Sequence, residues 1–177
     1  MKLFVIYIGG STKTSLIELH DMRFVVAESI EETYKVLRNT WWGTAQSLHL
    51  DAWGELVYAD GYDITIVPKG DAPTSKEILY FLNLGGYDSK QFTELHHNVF
   101  VVAQDKQTAK LKAKAQIQHW EVPHTDSHLE VENIISVGDS LNSTGYDLVL
   151  TKTEVPKSFK FTCQYTPIGM QLVTASC

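Results

Sequence analysis

Two apolar runs divide the chain into similar halves. Leu3 to Ile8 and Ile78 to Leu84 are each a short, nearly continuous hydrophobic stretch that ends in a Gly-Gly pair. Runs of this length bounded by turn formers predict buried strands. Each is followed by a polar segment, then Glu-Leu-His, then a second apolar run at Arg23 to Ala27 or Val99 to Ala103 that predicts a second strand. A helix comes next. In the first half Ser29 stands at a cap position with Glu32 three residues on, the arrangement of a capping box, and Ile30, Tyr34, Leu37 and Trp41 recur at helical spacing. In the second half Asp105 is the natural cap, and Ala109, Ala113, Ile117 and Trp120 form a weaker stripe. Leu48, Leu50 and Ala52 then alternate with His49, Asp51 and Trp53, the period of a half-buried strand. Asp60-Gly61 between Val57-Tyr58 and Tyr62 to Val67 is a two-residue hairpin signal. The corresponding loop of the second half, Gly138 to Gly145, is longer.

The two halves also match residue by residue. At an offset of 76, Leu3 meets Leu79, Gly9-Gly10 meets Gly85-Gly86, Glu18-Leu19-His20 meets Glu94-Leu95-His96, and Phe24 to Ala27 meets Phe100 to Ala103. His49-x-Asp51 meets His124-x-Asp126 at an offset of 75, and Gly61-Tyr62-Asp63 meets Gly145-Tyr146-Asp147 at an offset of 84. The fold class expected is α+β: a tandem duplication of a ββαββ module, with mostly antiparallel sheets, one helix per copy and a C-terminal strand or hairpin. The modules are expected at 1–70 and 77–152, joined by a linker at 71–76 and followed by an extension at 153–177. In that extension Phe159 to Phe161 and Gln171 to Val173 suggest a hairpin on a sheet edge. A module of this size buries too little surface to stand comfortably alone, so the copies are expected to share a buried face.

The quoted residues resemble a bacterial family, the domain of unknown function 1543. The likeness rests on Leu3-Phe4, Gly9-Gly10, Glu18 to Asp21, Phe24 to Val26, Ser29 to Glu31, Thr33-Tyr34, Leu37, Trp42-Gly43, His49-x-Asp51 and Gly61-Tyr62. The second copy matches more loosely: Asp21 becomes His97, and Trp42-Gly43 has no clear equivalent. Members of that family carry the module once or twice. The resemblance implies the fold and supplies no catalytic residue.

Composition narrows the function. With 15 basic and 21 acidic residues the formal charge is −6, which repels a phosphate backbone, so no nucleic-acid partner is expected. No run reaches the roughly 20 apolar residues of a membrane span. Leu3 to Ile8 is too short for the apolar core of a signal peptide. The only cysteines are Cys163 and Cys177, which fits free thiols and a cytoplasmic protein better than a disulfide framework.

Candidate chemistry lies in paired polar residues. In extended chain, residues two apart share a face. Glu18 with His20, His49 with Asp51, Glu94 with His96 and His124 with Asp126 therefore each form a candidate pair, with Asp21 and His97 beside them. If the segments of one copy are adjacent, each copy collects two imidazoles and two carboxylates. That set suits a Zn or Mn ion or an acid–base pair. The alternative is that these groups hydrogen-bond a loop to the sheet and fix its register. Gly9, Gly10, Gly85 and Gly86 are a candidate anion-binding turn, against the simpler reading of a turn needing positive φ or a bulge. Trp41, Trp42, Trp53 and Trp120 are expected mainly in packing, and the lysines at 106, 110, 112 and 114 on a solvated helix face. No cofactor is implied. The leading expectation is a module that binds an unidentified small molecule or protein, self-associates, and has its site at the pseudo-twofold interface. A small hydrolase or metal-dependent enzyme and a purely structural duplicated domain are the alternatives.

Overall fold

The computed structural model describes residues 1–116 and 131–169. Its elements in chain order are β1 (Lys2–Gly10), β2 (Leu19–Ala27), α1 (Ile30–Thr40), β3 (His49–Glu55), β4 (Tyr58–Ala59), β5 (Tyr62–Pro68), β6 (Ile78–Gly86), β7 (Leu95–Ala103), α2 (Lys106–Gln116), β8 (Val131–Ser136), α3 (Val137–Ser140), β9 (Tyr146–Lys152) and β10 (Phe161–Pro167). The class is α+β, and among the described residues every strand pairing is antiparallel. Among the described residues, no helix is long and apolar enough to cross a membrane.

The chain forms two compact units, Met1–Val57 with Ser158–Cys177, and Tyr58–Lys157. Sequence modules and compact units are thus different divisions. The Asp60-Gly61 hairpin groups with the later chain because β5 pairs with β9 along its whole length, from Tyr62↔Lys152 to Pro68↔Tyr146. The C-terminal strand groups with the first unit because β10 adds to the free edge of β3. The hairpin turn has positive φ at both central residues, 47° at Asp60 and 84° at Gly61, as its sequence predicts.

In the first unit the strand order is β10-β3-β1-β2. Phe4, Ile6 and Ile8 of β1 alternate onto one face and join Val25, Ala27, Leu48, Leu50 and Ile168 in a core closed by Leu37 of α1. Ile30, Tyr34 and Trp41 flank Leu37, so the helical stripe read from the sequence is the buried face. The capping box expected from the sequence is not made. Ser29 is the N-cap but its side chain makes no cap bond, while Glu32 accepts from the amide of Glu28 at 3.0 Å.

The second unit holds the sheets β4-β5-β9 and β7-β6-β8. Here α2 packs through Ala109 and Ala113 onto Tyr80, Leu82, Leu84, Val99, Val101 and Ala103. Asp105 caps it, accepting from the Thr108 amide at 2.7 Å. Ile117 and Trp120, expected to continue this helix, lie outside the described residues, as do Gln171 to Val173 and Cys177. The β5–β9 pairing is symmetric about Thr65↔Val149. It ends in matching bonds, Lys69 N–H to Gly145 O at 3.0 Å and Thr153 N–H to Gly61 O at 2.9 Å.

Two expectations need correction. The Gly-Gly pairs are not turns: Gly9-Gly10 and Gly85-Gly86 are the last residues of β1 and β6, paired in register with β2 and β7. None of the four has positive φ. A candidate anion-binding turn has no basis there, because the chain is extended. Also, β2 and β7 begin at Leu19 and Leu95 rather than at Arg23 and Val99, so His20 and His96 are strand residues.

Candidate functional site

One row across the first sheet assembles the polar groups. Gly9 of β1 pairs with His20 on one side and with His49 on the other. Residues directly opposite in antiparallel strands stand about 4.5–5.5 Å apart on the same face. Both imidazoles therefore lean over a residue with no side chain. A Cβ built on Gly9 would lie 2.6 Å from His49 Nε2, 2.7 Å from Asp51 Oδ2 and 3.0 Å from His20 Cδ2. Glycine is required here by the neighbours, not by φ.

The β1–β3 register slips between Tyr7 and Ile8, from Tyr7↔Ala52 to Ile8↔Leu50, so Asp51 is the extra residue of a bulge. Bulges re-aim a side chain. Asp51 is aimed at both histidines, Oδ1 at 3.4 Å from His49 Nε2 and Oδ2 at 3.4 Å from His20 Nε2. Glu18, one residue before β2, bridges them from the open side, with Oε1 2.7 Å from His49 Nε2 and Oε2 3.5 Å from His20 Nε2. Each carboxylate thus spans both imidazoles, closing a four-membered ring of side chains.

His49 is the floor of this ring, with only 2% of its surface exposed. Its Nδ1 lies 2.8 Å from the carbonyl of Ser47, which can only accept, so Nδ1 carries the proton. Nε2 is left pointing into the ring. The contact with Glu18 is close but not aligned as a hydrogen bond, and His49 Nε2 and Asp51 Oδ2 are both buried without a hydrogen-bond partner. Aromatic rings wall the site. Tyr7 stacks on His20 with centroids 5.0 Å apart and planes 4° apart. Tyr165, from the irregular stretch of β10 between Cys163 and Thr166, lies over His49 at 4.4 Å. Burial, then the charges of Asp51 and Glu18, push the Tyr7 phenol above its ordinary pKa and keep it protonated.

Asp21 does not join the ring. Its carboxylate accepts from Arg23, from Trp42 Nε1 at 3.2 Å and from the Met22 amide at 2.8 Å. Burial alone would raise its pKa, but the Arg23 and Trp42 bonds, the Arg23 charge and the Met22 bond outweigh it and lower it. It is an anchor that ties Trp42 to β2. Gly10 is also structural, since a Cβ there would lie 2.6 Å from the Trp41 ring and 2.8 Å from Ser47 Oγ.

In the second unit Gly85 pairs with His96 as Gly9 does with His20, and β6–β8 slips between Asn83 and Leu84, leaving Glu132 at the bulge. His96 Nε2 lies 3.8 Å from Glu94, and its Nδ1 lies 3.3 Å from the side-chain oxygen of Asn83, whose amide donates to Asn98 at 2.8 Å. His97, exposed on β7 opposite Leu84, stands where Asp21 stands in β2. His124 and Asp126 lie outside the described residues. Among the described residues, no three His, Cys, Asp or Glu side chains already stand arranged to hold a metal ion.

Sequence reading brought Glu18, His20, His49 and Asp51 forward and missed the tyrosines. Tyr7 was recoverable, two residues before Gly9 on the same strand face. Tyr165 was not, since nothing local ties β10 to β3.

Comparison with known proteins agrees with the motifs. A sequence model of the family described as Domain of Unknown Function (DUF1543) matches residues 15–66, the stretch from just before Glu18 to beyond Asp51. The crystal structure of a protein Il1583 from Idiomarina loihiensis is similar at 30% identity and a TM-score of 0.70, covering 96% of this chain and 99% of that one. The chain belongs to the DUF1543 family. No curated protein matches it.

Proposed function

We propose that the protein is a ligand-binding module, that its site is the ring of Glu18, His20, His49 and Asp51, and that the ligand brings a positive charge to it. One observation carries this reading. His49 Nε2 and Glu18 Oε1 stand 2.7 Å apart without an aligned hydrogen bond. Two such atoms at that distance need a proton or a cation between them. Two carboxylates drawn partly out of water are costly unless neutralised. All four of these residues lie in the first unit. An acid–base enzyme using the same groups is the second reading, favoured by the Ser47 carbonyl that orients His49 and by the protonated phenol of Tyr7.

We also read the chain as two tandem copies of one module. The shared Gly–His register, the bulge at the same step of β1 and β6, and the symmetric β5–β9 pairing support that reading. A cytoplasmic setting belongs to the same proposal, supported by the exposed free thiol of Cys163.

The test is an NMR titration of the full chain with a panel of small cations: primary amines, guanidines and inorganic salts. At least one member should shift the ring resonances of His20 and His49 in the wild type and leave Gly9→Ala unchanged, because the added methyl occupies the ring. A panel that moves neither histidine, or moves both proteins alike, sinks this reading.

A further inference from the structure

We propose that the cation is a divalent first-row transition metal ion, held by Nε2 of His20, Nε2 of His49 and the carboxylates of Glu18 and Asp51, each of which turns one oxygen toward each imidazole. This rests on the binding reading above and names its ligand. Bonds of about 2.0–2.2 Å at octahedral to tetrahedral angles set neighbouring ligands roughly 3.0–3.5 Å apart. Three of the four nitrogen–oxygen contacts around the ring, at 3.4, 3.4 and 3.5 Å, have that spacing. The fourth, Glu18 to His49 at 2.7 Å, is contracted. As they stand, the side chains do not surround a common point.

Glu18 is also the arm best able to open. It lies outside β2 and its side chain is 46% exposed, whereas His20, His49 and Asp51 stand on paired strands. A swing of Glu18 by a few tenths of an ångström restores the spacing. The remaining features are those a metal site needs. The proton of His49 is fixed on Nδ1 by the Ser47 carbonyl, which leaves Nε2 as a lone-pair donor in a set orientation. Gly9 leaves the space. Two neutral imidazoles with two carboxylates carry a charge that a divalent ion cancels, and mixed imidazole and carboxylate donors suit zinc or manganese. The second unit offers an internal control, because Asn83 and Asn98 bring amides beside His96.

The experiment uses the untagged full chain, stripped with chelator and titrated with Zn²⁺ and with Mn²⁺ by calorimetry and thermal melting. One ion should bind per chain and raise the melting temperature by mass action. His20→Gln, at a partly exposed position, and Asp51→Asn should keep the far-ultraviolet circular dichroism of the wild type. Each should lose more affinity than the roughly 10- to 100-fold that removal of an outer-shell partner costs. His96→Gln should bind as the wild type does. Absence of heat and of a melting shift with both ions overturns the proposal, and so does equal uptake by all four proteins. If neither metal binds while an amine or guanidine still moves the His20 and His49 resonances, the metal inference falls and the binding reading stands. If no cation binds at all, both fall.

Discussion

The Gly9 row and the Gly85 row are built on one backbone plan and differ in what they carry. In each, a glycine near the end of the strand faces a histidine on its hairpin partner, and a one-residue bulge follows the step before it. In the first unit the row is Tyr7, Gly9, His20, His49 and Asp51, with both carboxylates closed on both imidazoles. In the second, Asn83 stands at the place of Tyr7, and its amide is spent on Asn98. The difference teaches that the backbone arrangement alone does not make the site. The same strand–glycine–histidine frame gathers two carboxylates around two imidazoles in one unit and brings asparagine amides beside its histidine in the other.

The cores differ in the same way, and that comparison can be broken experimentally. Leu37 on α1 is fully buried, whereas the matching residue of α2 is Ala113, also fully buried. Leu37→Ala is expected to cost about 2–5 kcal/mol, as large-to-small core changes do. Urea unfolding reads it, and a loss under about 0.5 kcal/mol would mean the first unit tolerates the small residue the second uses.

A smaller contrast is expected where the helices start. Asp105 accepts from both the amide and the hydroxyl of Thr108, while Ser29 makes no side-chain cap bond. Asp105→Ala should lower the melting temperature, and Ser29→Ala should leave it unchanged within error. Equal effects would show that the two caps work alike in solution.

The smallest effect concerns Asp21, whose counterpart is His97. Its pKa is lowered in the folded chain. Its contribution is therefore present above the unfolded value of about 3.9 and fades as pH falls through the folded value. The carboxylate is 39% exposed, so the gap between wild type and Asp21→Asn at neutral pH should be about 0.2–1 kcal/mol. It should close in thermal melts below about pH 4. A gap that widens on acidification contradicts the anchor role.

Much of this was written locally. The alternation of Leu48 to Trp53, the stripe of Ile30, Tyr34, Leu37 and Trp41, and the Asp60-Gly61 turn each depend on neighbours a few residues away. Such patterns survive reading from sequence because side-chain periodicity and turn chemistry are short-range properties. The candidate residues were legible for the same reason, since Glu18 with His20 and His49 with Asp51 lie two apart.

What the sequence alone determined is therefore the α+β class, the two similar halves and the identity of the four ring residues. Tertiary structure decided the rest, because it depends on pairing between distant segments. The pairing of Gly9 with both His20 and His49 brings the two polar pairs together, and the bulge at Asp51 turns its carboxylate inward. The strand Phe161–Pro167 returns to the edge of β3 and lays Tyr165 over His49. The glycine pair, read locally as a turn, proved to be strand, since only the neighbouring chains show why a Cβ has no room at Gly9. No local pattern encodes which strands become neighbours, so the ring and its aromatic walls exist only once the sheet has closed.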